Sequence, residues 1–214
     1  MKIGILGSGL MGANIGTVFA QLGHEVIFSY SRNMQKLQSI ATNAGPSART
    51  GTPQQAVEQS DIIVLAVHWS RLEDALEQAG NMAGKIILSC TNPLNLANTE
   101  LVIAHTDSGA ESIARKLPKS HVVAAFQATP SEVLQDVFEG RMTLPRPSMV
   151  YCGDDETSKQ YIHTLLLEFG FEPIDAGPLK LARYIEPFAM LATALAYGTD
   201  QGPQWVYNFR RYKL

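Results

Sequence analysis

The chain is poor in cysteine, in net charge and in long apolar runs, and each shortage narrows what it can be. Only two cysteines, Cys90 and Cys152, occur in 214 residues. That is too few for a disulfide framework, and they lack the C-x-x-C spacing of zinc and redox sites, so a reducing cytoplasm is the expected compartment. Seventeen Lys+Arg stand against twenty Asp+Glu, a formal net charge of −3. The basic excess of a nucleic-acid binder is absent, and no nucleic-acid partner is expected. No apolar run reaches the roughly 18 residues of a membrane span, the longest being Phe188 to Tyr197, so no membrane association is expected. The opening MKIGILGSG reads directly as a strand, without the charged and apolar regions of a signal peptide.

What is present is apolar sequence spread along the whole length, 45% hydrophobic residues with 17% charged. A chain of this size can bury roughly 70% of its unfolded surface as one compact unit, so disorder is not expected. Short apolar runs alternate with amphipathic segments, the pattern of a parallel sheet wrapped by helices. Lys2 to Leu6, Val26 to Tyr30, Asp61 to Val67, Lys85 to Cys90, Val122 to Phe126, Met149 to Cys152 and Phe171 to Ile174 read as strands. Between the second and third of these lie a helix with Met34, Leu37 and Ile40, a short turn, and Thr52-Pro53 as the cap and first residue of another helix. Ser70 and Glu73 have capping-box spacing, and further helices are expected over about 108–117 and 156–169. From Pro178 the pattern is helical but interrupted by Pro187, which predicts a kink or restart. The expected fold class is α/β, a doubly wound parallel sheet of Rossmann type. It comprises a dinucleotide-binding domain over 1–177 and a short C-terminal helical extension over 178–214.

The motif that carries chemistry is Gly7-Ser8-Gly9-Leu10-Met11-Gly12, a G-x-G-x-x-G where a strand ends and a helix begins. The first glycine permits the turn, the second lets the backbone approach a pyrophosphate, and the third lets helix and strand pack closely. The helix N-terminus then offers unpaired N–H groups to the anion. A merely glycine-rich turn is the competing reading, and the strand–turn–helix context argues against it. An NAD enzyme usually places an acid at the end of the second strand, where this chain has Phe28-Ser29-Tyr30-Ser31-Arg32. Ser31 and Arg32, with Lys36 nearby, suit a 2′-phosphate, so NADP is the expected cofactor.

The nicotinamide half is expected over the ends of later strands, bordered by Ala66-Val67-His68-Trp69 and Thr91-Asn92-Pro93-Leu94. His68 is the natural candidate for a general acid, although a lone histidine on such a loop is more often a contact residue. His24, His105, His121 and His163 have no metal-ligand spacing and read as surface or cap residues; no metal is expected. Asp154-Asp155 precedes a helix and reads as a cap. The chain contains no phosphate loop, no H-E-x-x-H, no G-x-S-x-G, no carboxylate-rich calcium loop and no Tyr-x-x-x-Lys pair.

These residues resemble a known family, the NADP oxidoreductases that act on the deazaflavin coenzyme F-420, with their bacterial relatives and the nucleotide-binding domains of mammalian ferric reductases. The marks are the GSGLMG turn, Leu22-Gly23-His24-Glu25, Ser31-Arg32, Asp61 to Trp69, Cys152-Gly153-Asp154-Asp155 and Asp175-Ala176-Gly177-Pro178-Leu179. The resemblance implies that Ser31 and Arg32 hold the 2′-phosphate and that Val67, His68 and Asn92 border the nicotinamide. It also departs from the family pattern. His68-Trp69 stands where that family has proline-tryptophan, and Gln127 stands where it has a histidine before the Thr-x-Pro stretch.

The expected activity is therefore hydride transfer between NADP(H) and a flavin-like or other small-molecule acceptor. Such chemistry needs two flat rings held together more than it needs an acid or base, and no catalytic residue is assigned. Two alternatives stay open: an imine or hydroxyacid reductase using His68 or Lys180 as proton donor, and a non-catalytic NADP-binding redox sensor. The tail residues Trp205, Tyr207, Phe209 and Arg210 are expected to close the acceptor pocket or, more often for such a tail, to serve packing, and the apolar character of this end leaves a homodimer open while favouring it only weakly.

Overall fold

A computed structural model describes residues 1–212. The elements alternate along the chain as β1 (Lys2–Leu6), α1 (Leu10–Gln21), β2 (Glu25–Ser29), α2 (Met34–Ala44), β3 (Ala48–Thr50), α3 (Pro53–Glu58), β4 (Ile62–Leu65) and α4 (Leu72–Ala79). They continue as β5 (Ile86–Ser89), α5 (Gly109–Lys116), β6 (His121–Ala124), α6 (Leu134–Glu139), β7 (Ser148–Gly153), α7 (Glu156–Phe169), β8 (Glu172–Asp175) and α8 (Ala182–Tyr197). The sheet order is β3-β2-β1-β4-β5-β6-β7-β8. Strand order reverses between β1 and β4, which opens a crevice at their carboxyl ends, the place where open α/β sheets bind ligands. The expected doubly wound Rossmann architecture is present.

Strand period dictates how the core divides. Along β4, Ile62 and Val64 enter one apolar cluster while Ile63 and Leu65 enter the other. The first cluster lies under α1, α2, α6 and α7, and the second under α3, α4, α5 and the start of α8. Both faces of the central strands are covered, so these strands read as continuous apolar runs. Thr52 caps α3 and Asp155 caps α7 through the Ser158 amide, as expected, and Gln55 completes a reciprocal capping box with Thr52.

Several expectations need correction. The sheet is mostly rather than wholly parallel, because β7 pairs antiparallel with β6, while β8 runs parallel to β7. A third strand, β3, occupies the region expected as a short turn, where Val26 to Phe28 pair with Ala48 to Thr50. α6 was not legible at all; its six residues are held by burying Leu134, Val137 and Phe138. Ser70 and Glu73 do not form a capping box, because a 3-10 turn at Trp69–Arg71 precedes α4 and its cap is the His68 side chain. Pro187 neither stops nor restarts α8, which runs through it from Ala182 to Tyr197. Burial of Ile185, Glu186 and Ala189 on either side holds the helix together where propensity alone would break it. His24 is buried, not superficial, with Nε2 3.0 Å from Glu168 Oε2. Of the other histidines, His163 hydrogen-bonds the Tyr151 hydroxyl and His121 lies exposed at the start of β6.

Candidate functional site

The glycine turn is built by sterics and by two serines. Gly7 has φ +108°, and a Cβ there would run into the Ala66 carbonyl. A Cβ on Gly12 would collide with the Gly7 carbonyl oxygen. Gly9 differs, since nothing lies within 4 Å of where its Cβ would stand. Its freedom faces the cleft, which is where a ligand's backbone contact would be. Ser8 Oγ donates to the Ser29 carbonyl (2.9 Å) and Ser29 Oγ to the Ile5 carbonyl (2.7 Å), pinning the turn to the neighbouring strand. α1 starts at Gly9 with no side-chain cap and no acid in its first turn. Its first N–H groups therefore present an anion-binding end without a competing carboxylate.

That turn forms the floor of a cleft of about 590 Å³. One wall is the segment after β2. Tyr30 adopts a left-handed conformation (φ +56°), Ser31 Oγ contacts Asn33, and the Asn33 side chain caps α2 through the Lys36 amide (2.9 Å). Arg32 and Lys36 are exposed along this wall, and among the described residues neither is in an ion pair. β2 ends at Ser29 and is followed by Tyr30, Ser31 and Arg32, with no carboxylate there to hold a ribose 2′-hydroxyl. The donor set and the open Gly9 fit a dinucleotide bearing a 2′-phosphate.

The opposite wall comes from the 3-10 turn and α4, and sequence reasoning missed it. Arg71, Asp74 and Gln78 line the cleft from there. The Tyr30 hydroxyl donates to Asp74, whose other oxygen accepts from Gln78 Nε2 (3.1 Å). Burial and the neighbouring Asp74 push the Tyr30 hydroxyl up to about 12, while these hydrogen bonds hold Asp74 below the usual carboxylate range. The available signal was positional: Arg71, Asp74 and Gln78 recur at helical spacing just after a strand-end loop.

At the far end, Val67 and His68 border the cleft. Thr91 Oγ1 lies within hydrogen-bond distance of the Leu65 and Val67 carbonyls (3.2 and 3.1 Å), tying the loop after β5 to that after β4. Asn92 does not line the main cleft; its Nδ2 donates to the Gln127 carbonyl (3.1 Å), and Gln127 Nε2 donates to the Ser89 carbonyl (3.1 Å). Leu10 is exposed and Gly12 buried beneath the turn, so neither lines the cleft, whereas Met11 faces a second, smaller pocket. That pocket, about 140 Å³, is formed by Met11, Gln127, Thr129, Ser131 and the α8 residues Ala189 and Tyr197. It brings the loop after β6 against the N-terminus of α1, where Asn14 Nδ2 also donates to the Ser131 carbonyl (2.7 Å).

The tail packs elsewhere. Tyr207 accepts the Ser148 amide through its carbonyl (2.8 Å) and the Val150 amide through its hydroxyl (3.1 Å), and its ring meets Phe188 and Phe209. Trp205, Tyr207, Phe209 and Arg210 line neither of these two pockets, and Phe209 and Arg210 instead line a separate cleft with Leu144, Pro145 and Arg146. Lys180 is exposed and likewise outside both pockets. Among the described residues no group of three or more His, Cys, Asp or Glu is arranged to hold a metal.

Residues 2–93, which form the turn, both walls and the strand-end loops to Asn92, match the family described as NADP oxidoreductase, coenzyme F420-dependent. Over that stretch the chain is similar to those oxidoreductases. It is 27% identical over 213 residues to the F420-dependent NADP reductase of Methanocaldococcus jannaschii, covering 91% of this chain and 92% of that protein. It is 29% identical over 217 residues to the metalloreductase STEAP3 of Rattus norvegicus, covering 98% of this chain but only 42% of the rat protein. A crystal structure from Arthrobacter sp. FB24, described as a candidate F420-dependent NADP reductase, superposes with a TM-score of 0.86 at 26% identity, covering 99% and 100% of the two chains. An imine reductase from Aspergillus terreus shares the fold (TM-score 0.67, 18% identity, 91% of this chain and 61% of that one). The expected resemblance, the Rossmann-like fold and the assignment to NADP-dependent oxidoreductases are borne out. Among the described residues no helix is long and apolar enough to cross a membrane.

Proposed function

We propose that this protein transfers hydride between NADP(H) and a small conjugated acceptor of flavin-like or deazaflavin type. The observation that carries the reading is the pairing of an uncapped, acid-free α1 N-terminus with Arg32 and Lys36, which form no ion pair among the described residues, across one cleft. The first suits a pyrophosphate and the second a 2′-phosphate. NADPH supplies a hydride when bound. Gly7 to Gly9 hold the pyrophosphate, Ser31 and Arg32 hold the 2′-phosphate, and Val67 and His68 border the ring. The loops after β5 and β6, joined through Asn92 and Gln127, shape the acceptor side and exclude water.

A delocalised acceptor needs no side chain poised to deliver a proton, and the residues agree with that requirement. His68 is engaged at both ring nitrogens, and Lys180 points to neither pocket. An imine or hydroxyacid reductase would need one of them free. A cytoplasmic location is part of the proposal, in keeping with the two free, buried cysteines. So is a homodimer, for which the exposed Tyr184, Leu191 and Leu195 of α8 speak; light scattering that shows only monomer at working concentration overturns it.

The testing experiment follows NADPH oxidation optically against a deazaflavin, FMN, a ferric chelate and a cyclic imine, with NADH as control. Turnover on a flavin-like ring with NADPH preferred is the expected result. Tight NADPH binding without oxidation of any acceptor overturns the enzyme reading in favour of a redox sensor.

A further inference from the structure

The cleft contains one residue that a polyanion site has reason to avoid. Arg32, Lys36 and Arg71 line it as cations, while Asp74 is its single carboxylate among the described residues. The hydrogen bonds from Tyr30 and Gln78 stabilise the charged form of Asp74, so it stays an anion while facing a cleft suited to phosphates. Like charges facing each other in one cleft oppose binding. The arrangement becomes favourable only where the ligand offers Asp74 a hydrogen-bond donor and no negative charge.

We propose that Asp74, with Gln78, reads the exocyclic amine of the adenine base and makes the site selective for a 6-amino purine. This rests on the NADP reading above. With the pyrophosphate at Gly7 to Gly9 and the 2′-phosphate at Ser31 and Arg32, the base continues toward the remaining wall, formed by Tyr30, Arg71, Asp74 and Gln78. A carboxylate has about four acceptor positions, and those of Asp74 are engaged by the Tyr30 hydroxyl and by Gln78 Nε2 alone among the described residues. The remaining lone pairs can take the amine N–H. Gln78, whose amide is fixed by Asp74, keeps its second N–H to donate to a purine ring nitrogen. Tyr30 is a positioning residue here: its hydroxyl, joined to Asp74 across the cleft, fixes where the carboxylate stands.

The test compares NADP⁺ with its hypoxanthine analogue, which carries a 6-oxo acceptor in place of the 6-amine, by calorimetric titration of the whole protein. The wild type is expected to bind the analogue at least about tenfold more weakly, because two acceptors then face each other. In Asp74→Asn, whose amide can either donate or accept, the ratio is expected to fall to about two or less. Asp74 is exposed, so the variant is expected to melt with the wild type. Equal affinity of the wild type for the two dinucleotides, or an unchanged ratio in Asp74→Asn, overturns the base reading alone. Failure of the wild type to bind either dinucleotide overturns the NADP reading and this inference with it.

Discussion

Nε2 of His68 lies 2.9 Å from Oδ1 of Asn98, thirty residues further along the chain. The other ring nitrogen, Nδ1, accepts the Ser70 amide (3.2 Å), so the proton belongs on Nε2, where Asn98 can only accept it. The ring thus ties the loop after β5 to the loop after β4 at the edge of the cleft, and Asn98 takes a left-handed backbone conformation (φ +58°) to reach it.

A tether and a general acid make different predictions for His68→Gln. Loss of a general acid typically costs about 10²- to 10⁴-fold in rate. Loss of the tether is expected to lower kcat/KM less than about tenfold, chiefly through KM, and to raise hydrogen exchange over the loop around Asn98. Steady-state kinetics with exchange mass spectrometry checks both, and a hundredfold fall in kcat with an unchanged loop would make His68 the acid.

The glycines of the turn separate folding from binding. Gly12→Ala places a methyl against the Gly7 carbonyl and is expected to lower the melting temperature by several degrees. Gly9→Ala meets nothing in the folded protein, so it is expected to melt like the wild type yet lose at least tenfold in NADPH affinity, because the methyl occupies the space of the pyrophosphate. Thermal melts paired with NADPH titration give the check. A Gly9→Ala variant that binds normally would remove the turn from the site.

How much of this was legible in the sequence follows the range of the interactions. The turn from Gly7 to Gly12, the buried β4 and the caps Thr52 and Asp155 are local, set by residues within a few positions of one another. The course of α8 through Pro187, the antiparallel β7 and the burial of His24 beside Glu168 depend on partners far along the chain. The site divides the same way. Ser31 and Arg32 sit at the predictable end of a strand, whereas Asp74 and Gln78 look like solvated helix residues until Tyr30 reaches across from β2 to meet them.

Arg32 decides between the two nicotinamide cofactors. Charge-assisted hydrogen bonds are worth roughly 1.5–3 kcal/mol, so Arg32→Ala is expected to weaken NADPH binding about 10- to 100-fold. NADH, which lacks the 2′-phosphate, is expected to change by no more than about threefold. Binding titrations at two salt concentrations test it, with the NADPH affinity of the variant less salt-sensitive than that of the wild type. An unchanged NADPH dissociation constant would place the 2′-phosphate elsewhere.

Glu186 is a fully buried carboxyl on α8 whose two oxygens accept the amides of Gly109 (2.9 Å) and Ala110 (3.0 Å) at the start of α5. Burial pushes it up to about 7 against these two hydrogen bonds, with Glu111 and Asp107 adding to the rise. The folded protein therefore holds this proton more tightly than the unfolded chain. Its contribution to stability is full below the ordinary value of 4.5 and is lost as pH rises to about 7. The ionised form costs roughly 3 kcal/mol at about 1.4 kcal/mol per pKa unit. Glu186→Gln keeps an oxygen for the amide N–H groups and removes the charge, so the wild type is expected to lose stability relative to the variant between pH 5 and pH 8. Urea unfolding of both proteins at the two pH values measures it. A difference that stays the same at pH 5 and pH 8 would mean that the carboxyl carries the same charge at both.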